Sequence, residues 1–202
     1  LAAIAEQNFE TAAALRDDLM RFLGQRYYVG LLAAAAIYGA AHQQPMAFQV
    51  VTDRATRRAG AGRVRIQFHK SRIVAAVPVQ EVATETGRMR VSTPEATAFD
   101  LVRFAPASGH LSNVATVLHE LAEKLDSRAL AKLPAVYGAP DTQRLGYLLD
   151  RVGACALAET LARALEGQRV RTVLLSPGQR KGRTKRDERW RVIPNATVEV
   201  DA

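Results

Sequence analysis

The stretch Met89-Arg-Val-Ser-Thr-Pro-Glu-Ala-Thr-Ala-Phe-Asp-Leu-Val102 turns a short strand into a helix within two residues. Pro94 pre-sets the backbone angle of a first helical turn and lacks the N–H that such a turn would leave orphaned. Ser92 or Thr93 can cap the helix, and Glu95 meets its positive end. Ser92 and Glu95 also stand at capping-box spacing. Ala98, Phe99, Leu101 and Val102 give the helix one apolar face, and Asp100 can pair with Arg103 one turn on. A strand that feeds directly into a helix at mid-chain points to a fold that mixes the two.

The rest of the pattern agrees. Residues 1–24 read as an N-terminal helical segment, with Ile4, Leu15, Leu19, Phe22 and Leu23 apolar and Gly24 as a stop. Tyr28 to Tyr38 is predicted to be a buried helix, since it is apolar nearly all round. Phe48 to Thr52, Arg63 to Phe68, Ile73 to Val77, Val79 to Val82 and Arg88 to Val91 are strand candidates. In the second of these, strict alternation places Val64, Ile66 and Phe68 inward. Residues 112–167 form a helical segment. Ser112 is its expected cap, Asp126 caps a short helix ending near Leu133, and Leu145, Leu148, Leu149 and Val152 make a stripe closed by Gly153. Leu157, Leu161 and Leu165 make another, closed by Gly167. Arg169 to Leu175 returns to strand character, and Trp190 to Ile193 and Thr197 to Val200 are expected to close a hairpin across Pro194-Asn195. The predicted class is α+β: a mixed sheet of about four or more strands packed with several helices, then C-terminal strands.

Composition narrows the function classes. The longest apolar run, Tyr27 to Ala41, is too short to span a bilayer, which needs about 20 residues. Nothing at the start resembles an export signal, so a cytoplasmic location without membrane contact is expected. The single cysteine, Cys155, excludes an internal disulfide, and its alanine-rich setting predicts a small buried apolar residue. The chain opens on Leu1 rather than methionine, so further residues upstream are an expectation.

The net charge of +8 is concentrated in two blocks. Between residues 54 and 72 lie Arg54, Arg57, Arg58, Arg63, Arg65, Lys70 and Arg72, with no acid. Between residues 168 and 191 lie nine basic residues, Lys181, Arg183, Lys185 and Arg186 among them, against Asp187 and Glu188. Such blocks fit a polyanion partner held through phosphate contacts; they also fit two solvated basic loops. Trp190 is the one aromatic near the second block, too little for stacking on single strands.

A search for catalytic chemistry fails at each step. His119 begins His-Glu-Leu-Ala-Glu, but a zinc-protease helix needs a second His where Glu123 stands. His42, His69 and His110 are scattered and have no cysteine nearby, so no metal ligand set is expected. Gly60-Ala-Gly62 lacks the third glycine of a dinucleotide loop, and Gly178 to Thr184 has Arg183 where a phosphate loop needs glycine beside the lysine. No nucleophile elbow or nuclease-type Glu-x-Lys or Asp-x-Lys tripeptide occurs. No catalytic, cofactor-binding or metal site is therefore predicted.

The blocks Tyr27 to Pro45, Phe48 to Asp53, Arg88 to Val102, Asn113 to Leu118 and Arg144 to Asp150 occur in an order that resembles the C-terminal domain of the AbiEi antitoxins. These belong to type IV toxin–antitoxin and abortive-infection (phage-defence) systems. The resemblance assigns residues 25–202 to that domain. It implies a non-enzymatic antitoxin that neutralises a nucleotidyltransferase-like toxin and supports transcriptional autorepression. In the family, promoter DNA is bound by an N-terminal winged helix, and residues 1–24 are too short to make one.

Two rival readings stay open. One is a basic, nucleic-acid-binding transcriptional regulator without antitoxin role, which would use Arg54, Arg57, Arg58, Arg63, Arg65, Lys181, Arg183, Lys185 and Arg186. The other is a nuclease-like or nucleotidyltransferase-like enzyme, which requires Asp53, Glu81, Glu95 and Asp100 to converge on a pocket.

Overall fold

A computed structural model describes residues 24–40, 47–55, 59–61, 64–84 and 87–199. The helical segment expected before Gly24 lies outside them, as do Arg57, Arg58, Arg63 and Val200. The chain forms two compact units, and the boundary falls between Thr93 and Pro94, at the strand-to-helix junction.

The first unit is built on a six-stranded mixed sheet. Its strands are β1 (Tyr27–Val29), β2 (Phe48–Thr52), β3 (Ala59–Ala61), β4 (Val64–Lys70), β5 (Val79–Thr84) and β6 (Gly87–Ser92), in the order β3-β4-β2-β1-β6-β5. Strand β1 runs antiparallel to β2, with Tyr27 opposite Thr52, and parallel to β6, with Val29 opposite Val91. Strands β2 and β4 are parallel, while β3 and β5 close the two edges as antiparallel partners of β4 and β6. Val29, Phe48, Val50, Ile66, Met89 and Val91 pack with Ala33 and Ala34 of helix α1 (Leu31–Ile37), and Phe68 joins the margin of this core.

Two expectations fail here. Tyr28 and Val29 are strand rather than helix, because aromatic and β-branched side chains suit a pleated position between two partners. An apolar run cannot by itself decide between buried helix and buried strand. Helix α1 starts only at Leu31, whose φ of 54° is a strained value for a leucine. Gly30 offers no side-chain cap; the buried Gln49 does instead, its Oε1 accepting the Leu32 N–H at 2.9 Å. Ile73 to Val77 is a turn rather than a strand, since the amides of Ala76 and Val77 both return to the Ile73 carbonyl.

The second unit holds helices α2 (Pro94–Arg103), α3 (His110–Leu121), α4 (Ser127–Leu130), α5 (Pro134–Tyr137), α6 (Ala139–Arg151) and α7 (Cys155–Leu165). Short 3-10 turns at Ala105–Ser108 and Ala122–Lys124 flank α3. The predicted stripes form its core: Val114, Leu118, Leu121, Leu145, Leu148, Leu149 and Leu161 are all essentially inaccessible. Each such leucine contributes roughly 1.5–3 kcal/mol relative to an exposed one. Asp126 caps α4 as expected, its carboxylate accepting the Ala129 N–H at 2.8 Å.

The junction helix differs in detail from its expectation. Thr93 is the residue between β6 and α2, and Ser92 is a strand residue whose hydroxyl donates to the Val29 carbonyl. The Glu95 carboxylate accepts the Asp126 N–H at 2.9 Å. Asp100 does not pair with Arg103: it accepts the Tyr137 hydroxyl at 3.1 Å, while Arg103 reaches Asp141. Both departures have one cause, the packing of α2 against later helices, which supplies partners that local spacing does not show. The rings of Phe99 and Tyr137 stack at 4.6 Å between centroids.

Three further expectations are corrected. Ser112 is not the cap of α3, which starts at His110 after Gly109; the left-handed Gly109 makes the turn, and Ser112 Oγ accepts the Glu199 N–H. Cys155 is exposed, because it is the first residue of α7 and lies off the Leu157–Leu161 stripe. The C-terminal hairpin is replaced by a parallel pair, β7 (Val173–Leu174) with β8 (Val192–Ile193).

Candidate functional site

The two short strands β7 and β8 carry between them the most basic loop of the described structure. Helix α6 holds them in place. Buried Gln143 donates through Nε2 to the carbonyls of Arg171 (2.9 Å) and Trp190 (2.8 Å), one on each flank of the loop. Arg144 donates through Nε to the Leu174 carbonyl at 2.9 Å. Asp150 accepts the Trp190 indole N–H at 2.6 Å and is paired with Arg189 at 3.1 Å. The indole is 2 % exposed and lies against Gly146, where any side chain would collide with it.

Asn195 closes the base of the loop. Its Oδ1 accepts the Ser176 N–H at 2.9 Å, and its Nδ2 faces the carbonyls of Ser176, Gln179 and Arg180 at 2.8, 3.1 and 3.3 Å. Arg180, Lys181, Arg183 and Lys185 are exposed, and among the described residues they form no ion pair or hydrogen bond through their side chains. Arg186 differs. It is bidentate to Glu188, with Nη2 to Oε2 at 2.6 Å, and also donates to Thr172 Oγ1, so its charge is largely committed.

The other basic residues are placed less completely. Arg54 and Arg65 are exposed, at the end of β2 and on β4, and neither side chain is paired among the described residues. Both belong to the first unit, whereas Lys181 to Arg186 belong to the second. Of the four carboxylates an enzyme would need, Glu81 is paired with Arg88 on the exposed β5–β6 edge, Glu95 holds the Asp126 amide and Asp100 holds Tyr137, whereas Asp53, just after β2, has a buried Oδ1 with no hydrogen-bond partner among the described residues. Among the described residues no three His, Cys, Asp or Glu side chains could share a metal ion.

Asp141 is buried beside Arg103 (3.5 Å) and Arg144 (3.0 Å). Burial raises its pKa above the usual carboxylate value of 3.8, and the two guanidinium groups work against that rise. The cluster ties the start of α6 to the end of α2 and is structural. On the same helix, Tyr147 lines a surface groove with Arg151, Thr184 and residues 194–198. Sequence reasoning passed over Tyr147, Arg151 and Asn195, whose types carry no motif. A glycine inside the leucine stripe, Gly146, was the one available sign that something approaches α6 closely.

A mixed sheet with a bundle of helices defines an α+β protein, and a solved structure shares the arrangement. The RV2827C protein from Mycobacterium tuberculosis matches with a TM-score of 0.64 at 16 % sequence identity, over 88 % of this chain and 65 % of that one. At that identity the likeness establishes the fold. Curated protein sequences return no match. Residues 28–151 match the AbiEi antitoxin C-terminal domain, from strand β1 to the end of α6. The chain belongs to that family. The β7–β8 loop and the rest of residues 152–202 lie beyond the matched range.

Proposed function

We propose that the chain is the antitoxin of a type IV toxin–antitoxin system and acts without catalysing a reaction. On this reading it neutralises a nucleotidyltransferase-like toxin, and it supports autorepression through a promoter-reading module outside residues 25–202. The single observation that carries it is the family match over residues 28–151, which takes in all of the first unit's sheet except Tyr27 and most helices of the second. Co-expression with the adjacent toxin gene tests the reading directly. Growth is expected to be restored, and arrest that persists with the folded chain present refutes it.

A second reading is favoured by one specific observation, the four uncommitted cations Arg180, Lys181, Arg183 and Lys185 on an anchored loop. They are suited to the phosphate backbone of a nucleic acid, an interaction that gives affinity without sequence selection. Replacing Lys181, Arg183 and Lys185 by Gln is expected to reduce the slope of log affinity for duplex DNA against log salt by about 0.9 for each phosphate that is no longer neutralised. Equal slopes for the two proteins would remove this reading while leaving the antitoxin role intact.

A further inference from the structure

A surface groove beside the basic loop brings one guanidinium, two threonine hydroxyls and a tyrosine ring together. Its volume is about 380 Å³, within the range of small-molecule sites. Tyr147 and Arg151 enter from α6, Thr184 from the loop, and Pro194, Thr197 and Val198 from the segment after β8. All of these belong to the second unit. Arg151 is exposed, and among the described residues its guanidinium has no carboxylate or carbonyl partner. Thr184 offers a hydroxyl to the groove, while its sequence neighbours Arg183 and Lys185 are exposed and do not line it. Pro194, Val198 and the Tyr147 ring add apolar surface against which a base can lie.

The nearby acids are Asp187, Asp150, Glu188 and the exposed Glu199, which follows the lining residue Val198. Asp187 faces Tyr147, but its carboxylate already accepts the Trp190 backbone N–H at 2.8 Å. Asp150 is held by Trp190 and Arg189, and Glu188 by Arg186. The negative end of α6 is weakened, because three of its last four carbonyls, those of Leu148, Leu149 and Asp150, accept the amides of Val152, Ala154 and Gly153.

We propose that this groove binds a nucleotide through its phosphate, with Arg151, Thr184 and Thr197 as donors and the Tyr147 ring beneath the base. Burial raises the Tyr147 phenol above its usual 10, with Arg151 opposing and Asp187 adding to the rise. The hydroxyl therefore stays protonated at neutral pH and is a further donor. The groove lies partly in residues beyond the family match, and its ligand is independent of the antitoxin reading. A phosphate-bearing nucleotide reaches it either free in solution or as part of a strand.

The test uses the full chain and two probes, a fluorescent methylanthraniloyl derivative of ATP and a short fluorescein-labelled single-stranded oligonucleotide, each followed by anisotropy. At least one is expected to bind, and which one identifies the source. Arg151→Gln is expected to weaken that probe about tenfold, the effect of removing one charged hydrogen bond, and Thr184→Val to weaken it several-fold. Arg128→Gln, the same charge change at an exposed position of α4, is expected to stay within about twofold of the parent. Arg151 and Thr184 make no side-chain bonds among the described residues, so both variants retain the fold. The proposal is overturned if neither probe binds, or if Arg151→Gln and Arg128→Gln weaken binding equally. Oligonucleotide binding abolished by neutralising Lys181, Arg183 and Lys185 but untouched by Arg151→Gln would also overturn it, while upholding the basic loop.

Discussion

Replacing Gly146 by alanine puts the mounting of the β7–β8 loop under direct strain. A Cβ at that position lies 2.1 Å from Cη2 and Cζ3 of Trp190 and 2.6 Å from Cε3. To regain ordinary contact the indole must retreat by about 1.3 Å, yet its N–H is held by Asp150 at 2.6 Å and its backbone by Gln143 and Asp187. Overpacking of this kind costs about 1–3 kcal/mol. Breaking the indole–carboxylate bond costs about 1.5–3 kcal/mol more. The gain in helix propensity from glycine to alanine returns about 1 kcal/mol. The net loss is about 1.5–5 kcal/mol. Urea unfolding gives the stability, and intrinsic fluorescence reports on the site itself because Trp190 is the sole tryptophan. Gly146→Ala should unfold at lower urea and show red-shifted native emission. A variant as stable as the parent, with unchanged emission, would refute the packing described for α6.

Asn195→Ala removes the hydrogen bonds that close the loop, so trypsin should cut at Lys181 or Arg183 faster in native protein while the unfolding midpoint falls by only about 1 kcal/mol in stability. Cys155, exposed at the start of α7, should react stoichiometrically with a thiol reagent under native conditions; silence until denaturant is added would contradict its placement. The raised pKa of Asp141 means that the folded state holds this proton more tightly than the unfolded state does. Its contribution is greatest below 3.8 and is lost as pH rises through the higher folded value. Comparing unfolding free energies of parent and Asp141→Asn across that interval should show the decline in the parent alone.

How much was legible follows the range of each interaction. The Thr93–Pro94 junction and the Asp126 cap are decided by neighbours in sequence, so their residues announce them. The leucine stripes of α3, α6 and α7 are equally plain, since a 3.6-residue period has one physical cause. Tyr27 to Val29 was not legible, because a short apolar run suits a buried helix and a buried strand alike. The basic residues were visible as a block, but their division into the uncommitted Lys181, Arg183 and Lys185 and the paired Arg186 was not. That division depends on Glu188 and Thr172 being brought beside one guanidinium.

By itself the sequence determined an α+β chain, the place where sheet gives way to helices, the family and the absence of a familiar catalytic motif. Tertiary structure alone decided that β1 lies between β2 and β6, that β7 pairs in parallel with β8, and that Arg103 chooses Asp141 over Asp100. It also put Trp190 against Gly146, and Tyr147 and Arg151 in one groove with Thr184 and Thr197. The reason is the same in each case. Capping and periodicity act over a few residues and leave a pattern in the chain, whereas partners separated by dozens of residues meet only once the core has closed around them.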